Sequence, residues 1–105
     1  MPNGDDKNWI RLCAAIDGFR ARYGAWPTRV RLFSACVENL RNDLFSPEAY
    51  ARLTTRLEFV ADDASMVAED DSGRSYDYSM QGFSKSPPDI PAQQWLGVAP
   101  DRGHE

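Results

Sequence analysis

The chain has 105 residues, 42% of them hydrophobic and 27% charged, with a formal net charge of −4. That length fits a single domain with a core of its own, and the composition is that of an ordinary globular protein. No apolar run approaches the ~20 residues a membrane-spanning helix needs, and the opening MPNGDD lacks the basic and apolar regions of a signal peptide, so a cytoplasmic protein is expected.

The small net charge hides an uneven layout. Residues 1–56 carry nine bases and six acids, residues 57–79 one base and seven acids, and residues 80–105 two bases and three acids. A dipolar molecule of this kind associates according to where its charge sits more than to its total.

Residues 1–6 read as a disordered leader, in which Asp5 or Asp6 can cap the helix that follows. Trp9, Leu12, Cys13, Ile16, Phe19 and Tyr23 recur at spacings of three and four, one stripe of an amphipathic helix, with Arg11, Asp17, Arg20 and Arg22 off it. Gly24 suits the residue after the helix and Pro27 a stop beyond it. Arg29-Val30-Arg31-Leu32 alternates as a short strand with a doubly basic outer face. That face can lie beside acidic strands and offset their repulsion, or bind phosphate. Ser34 can cap a second helix with Cys36, Val37, Leu40 and Leu44 inward. Ser46-Pro47-Glu48 is a stronger start, with a capping serine, proline at the first position and an acid at the positive end. Tyr50, Leu53 and Leu57 continue inward, Arg52 and Arg56 outward.

Residues 57–80 read as a meander of three strands: LEFVA, SMVAE and SYDYSM. The last puts Tyr76, Tyr78 and Met80 on one face. Asp-Asp-Ser-Gly at 70–73 predicts a tight hairpin, and Asp62-Asp63-Ala64-Ser65 a weaker turn. Three prolines within 81–91 exclude regular helix or inner strand there. The apolar cluster of Trp95, Leu96 and Val98 is expected to dock on the domain, burying part of a tail at 84–105. The expected fold is α+β: one domain over 7–83 in the order α-β-α-α-β-β-β, with the helices on one face of a small mixed or antiparallel sheet. Up to the second meander strand this order resembles that of winged-helix domains, with 34–44 and 46–56 as the helix-turn-helix pair. The resemblance implies DNA contact through Arg52, Thr54, Thr55 and Arg56.

No catalytic residues are assigned. The single histidine, His104, sits one residue from the end, and no glycine-rich phosphate loop is present. Cys13 and Cys36 read as reduced thiols on helical faces, not as zinc ligands. Glu69, Asp70, Asp71 and Ser72 offer oxygen ligands near Gly73, but without the loop spacing of a calcium-binding EF-hand, so no metal or other cofactor is expected. The expected function is a non-enzymatic interaction module. Glu58, Asp62, Asp63, Glu69, Asp70, Asp71 and Asp77 would meet a basic patch on a protein partner, with no membrane and no tight nucleic-acid binding. The sharper alternative is a nucleic-acid mimic of the anti-restriction or anti-CRISPR type. A winged-helix DNA binder comes next, and a metal-dependent enzyme last.

Overall fold

The computed structural model describes residues 7–63, 66–85 and 89–101. The leader at 1–6, with the expected cap at Asp5 or Asp6, lies outside them, as do Ala64, Ser65, Pro87, Pro88 and His104.

The first helix, α1, runs Lys7–Tyr23. Trp9, Leu12, Ile16 and Phe19 are buried, and so are Ala14, Ala15 and Gly18. Gly24 follows in the left-handed region at φ 73°, its N–H bonded to the Arg20 carbonyl at 2.8 Å, which ends the helix as its sequence predicts. Strand β1 is Arg29–Leu32, with Val30 and Leu32 fully buried.

The second helix departs from expectation. Ser34 is the first residue of α2 (Ser34–Glu38) and does not cap it; Phe33 holds the cap position and offers no side-chain bond. From Asn39 to Leu44 the chain widens into a π-helical turn, closed by Phe45 N–H to the Leu40 carbonyl at 3.0 Å. The extra residue in that turn carries Leu40, Leu44 and Phe45 into the core together, all fully buried. Helix α3, Pro47–Arg56, starts on Ser46, whose side chain accepts the Ala49 N–H, with Pro47 in the first turn.

Strands β2 (Glu58–Ala61), β3 (Val67–Glu69) and β4 (Ser75–Asp77) follow. They do not form a meander. The sheet order is β2-β1-β3-β4, with β1 parallel to β2 and antiparallel to β3, and β3 antiparallel to β4. The sheet is therefore mixed and the fold α+β. The helices α2 and α3 form the crossover that parallel pairing requires. Because β1 separates β2 from β3, those two strands make no hairpin, and the wing that they would form under the winged-helix resemblance is absent among the described residues; the hairpin after the helix pair is β3–β4.

The β3–β4 turn is the one Asp70 to Gly73 predicts. Gly73 sits at φ 93°, and Asp70 N–H bonds the Arg74 carbonyl at 3.1 Å. Strand β4 stops earlier than its alternating pattern suggests. The Asp77 carboxylate accepts from Ser79 N–H at 2.9 Å and its hydroxyl at 2.5 Å, and a short helix α4, Tyr78–Gln81, begins. Met80 consequently points into solvent at 81% exposure, not onto the core face beside Tyr76.

The core lies between the helices and one sheet face. Val30, Ala68 and Tyr76 share a register row across β1, β3 and β4 and are buried. The Tyr76 ring packs against Gly18, where an added Cβ would stand 2.2 Å from it, and its hydroxyl donates to the Gly82 carbonyl at 2.6 Å. The tail turns through α5 (Ala92–Leu96), burying Ala92, Leu96 and Val98. Trp95 stacks on Trp26 at 4.4 Å between ring centres, and Arg20 and Arg56 lie over the outer faces of the pair. Asp101 accepts from the Ser46 N–H at 2.7 Å and hydroxyl at 2.6 Å.

Candidate functional site

The site grows from the strand register. Arg29, Glu58, Glu69 and Ser75 align across the four strands, as do Arg31, Val60, Val67 and Asp77. Alternation puts both rows on the sheet face away from the buried Val30, Ala68 and Tyr76. β1 is central, so its two arginines stand in the middle of that outer face.

Glu69 holds the centre. Its carboxylate accepts from Arg29 Nη1 and Arg31 Nε, each at 3.0 Å, and its side chain is 18% exposed. At the Arg29 end, Glu58 approaches Nε at 3.7 Å and Asp71 pairs with Nη2. At the Arg31 end, Asp62 pairs with Nη1 at 3.1 Å. Burial pushes the Glu69 carboxyl up, but the bonds and charges of Arg31 and Arg29 outweigh it and hold it below the ordinary value. The hydrogen bonds Arg29 donates to Asp71 and Glu69 raise its pKa, and those Arg31 donates to Glu69 and Asp62 do the same for Arg31.

Four of the seven predicted carboxylates, Glu58, Asp62, Glu69 and Asp71, thus converge on two guanidinium groups, an arrangement left two charges negative. The doubly basic face of β1 offsets the acidic strands, one of the two roles its sequence allows. Asp63 is exposed next to Asp62, and its carboxylate has no partner among the described residues.

Two predicted residues leave the set. Asp70 is buried and turned into its own hairpin. It accepts from Ser72 N–H and hydroxyl at 3.0 and 2.8 Å, from Arg74 N–H at 3.2 Å, and pairs with the Arg74 guanidinium at 2.7 Å. Burial alone would raise it; the donors of Ser72 and Arg74 instead bring its pKa down to about 2. A carboxylate saturated this way has no oxygen to give a partner or a metal ion. Asp77 is occupied in starting α4. Among the described residues no group of three or more His, Cys, Asp or Glu side chains is placed to hold a metal, and no helix is long and apolar enough to cross a membrane.

Of the four residues a helix-turn-helix reading would aim at DNA, all exposed, Arg52 makes no bond among the described residues and the other three make contacts within the chain. Thr54 and Thr55 hydroxyls bond back to helix carbonyls, Thr54 to Tyr50 and Ala51 and Thr55 to Ala51, and Arg56 lies over Trp95. Both thiols are unpaired, and burial pushes the Cys13 pKa up to about 12, which leaves it unreactive as a nucleophile.

Compared with known proteins, the chain matches no protein-family model, no curated protein and no solved structure.

Proposed function

We propose that this protein is a non-enzymatic interaction module whose outer sheet face binds a basic surface of a protein partner. One observation carries the reading: four carboxylates share two arginines on the face that no core residue occupies. Ion pairs with Arg29 and Arg31 fix Glu58, Asp62 and Asp71, which stay exposed at the rim beside the unpaired, exposed Asp63. A partner's lysines and arginines then meet carboxylates already held in place, which favours rapid, charge-steered encounter. The excess negative charge disfavours a nucleic-acid ligand on the same face. The missing β2–β3 hairpin weighs against a winged-helix DNA binder. The free thiols accord with a cytoplasmic setting.

The test is capture of partners from nuclease-treated extract of the native host at low and high salt. A basic protein retained at low salt and released at high salt is expected; a nucleic-acid-binding protein among such partners would give the mimic form of the same reading. Tight, salt-sensitive binding of bare duplex DNA, measured by fluorescence anisotropy, would overturn the proposal.

A further inference from the structure

On α1, Ile10, Cys13, Ala14 and Asp17 recur at spacings of three and four. They lie roughly opposite the sheet-facing Leu12, Ile16 and Phe19. With Phe83 and with Pro91, Ala92 and Pro100 of the tail they enclose an open groove of about 460 Å³. That volume lies within the ~300–1,000 Å³ typical of small-ligand sites. Its walls are apolar, and two large side chains at its edge, Ile10 and Phe83, remain 39% and 62% exposed.

Among the described residues, Asp17 is the only charged one lining the groove. One of its carboxylate oxygens accepts the Ala92 N–H at 2.8 Å, which anchors the start of α5. The other has no partner among the described residues. The remaining polar groups cannot neutralise it. Cys13 stays a neutral thiol, and the Gln93 carbonyl oxygen is taken by Trp9 Nε1–H at 3.3 Å.

We propose that this groove is a binding site for a small cationic amphiphile of the arylalkylamine class, its apolar body between Ile10, Phe83 and Pro91 and its ammonium on the open oxygen of Asp17. Charge complementarity and size select the occupant. A neutral apolar ligand would leave the carboxylate desolvated without compensation, and an anion would be repelled. Burial already pushes the Asp17 carboxyl above its ordinary value, the mark of a charge short of solvation, which a bound cation relieves. The site lies on the helical layer, on the other side of the molecule from the acid-rich sheet face, and does not depend on what binds there.

The experiment is an amide-resolved NMR titration of the full chain with phenylbutylamine, using phenylbutanol and phenylbutyrate as neutral and anionic counterparts. Saturable shifts at Ile10, Cys13, Asp17, Phe83 and Ala92 are expected. The amine should bind about tenfold or more tighter than the alcohol, the range of a charge-assisted hydrogen bond, and the butyrate should not bind. Asp17→Asn should bring the amine down to the affinity of the alcohol. Phe83→Ala, at an exposed position, should weaken both and guards against a fold defect in the first variant. Equal binding of amine and alcohol, no saturable binding, or an unchanged Asp17→Asn would overturn the proposal. So would sedimentation showing a dimer that Phe83→Ala disperses, since a second copy would then fill the groove.

Discussion

Replacing Glu69 by Gln should destabilise the protein far more than replacing Glu58 by Gln, although both carboxylates pair with Arg29. Glu69 accepts two charged hydrogen bonds of 3.0 Å and is 18% exposed; Glu58 makes one contact of 3.7 Å and its side chain is 68% exposed. Charged hydrogen bonds contribute ~1.5–3 kcal/mol each in mutational series. Two would set an upper bound, but Arg29 keeps Glu58 and Asp71, Arg31 keeps Asp62, and solvent screens the more exposed Arg31. A loss of ~1–2 kcal/mol follows, or roughly 5–10 °C in melting temperature for a chain of this size. Glu58→Gln should melt with the parent, as exposed pairs usually do. Thermal and urea unfolding followed by far-UV circular dichroism measure both, and an unchanged urea slope shows that the same surface unfolds. If the two variants melt together, Glu69 does not organise the sheet face and the preorganisation argued above has no basis.

Gly18→Ala should cost ~1–3 kcal/mol by overpacking, because its Cβ would stand 2.2 Å from the Tyr76 ring; Tyr76→Ala combined with it should lose less than the two single changes added, and additive losses in the unfolding cycle would contradict that contact. Asp70→Asn should remove a pH-dependent contribution. The Asp70 pKa is depressed from 3.8 to about 2, so its stabilisation is complete above about pH 4 and fades as pH falls to about 2. The gap in melting temperature between parent and variant should therefore close over that interval, and a constant gap would refute the assignment. Trp95→Ala should lower stability by ~2 kcal/mol, less than for a fully buried tryptophan, since half-buried Trp95 stacks on Trp26; unchanged melting would make the tail a bystander.

The helices that carried their own punctuation were legible. Ser46, Pro47 and Glu48 start α3, and Gly24 ends α1. Alternation told which side of each strand faces the core, as for Val30 and Leu32, because side-chain direction is local. It could not tell which strand lies beside which. The 57–80 stretch looks like a meander, yet β2 pairs with β1 across an intervening helix pair, and that choice is made by tertiary packing. The SYDYSM pattern continues past Asp77, but an aspartate followed two residues later by a serine also starts a helix, and the cap prevailed. In the candidate site, the acidity of 57–79 and the two outward arginines were visible separately. Their meeting at Glu69, and the withdrawal of Asp70 into its own turn, depend on register and turn geometry. Gly18 under Tyr76 and Asp17 beside Ala92 join residues 58 and 75 positions apart, and no local pattern announces such contacts.

On the proposed function, the rim carboxylates of the outer sheet face steer a basic partner onto the protein. The most direct measurement is the association rate constant of the captured partner with the parent and with Asp63→Lys/Asp71→Lys, at low and high salt. Both positions are exposed, so the variant should fold as the parent does. Association should be at least about tenfold slower for the variant at low salt, with the difference vanishing at high salt. An unchanged rate in a folded variant would contradict it.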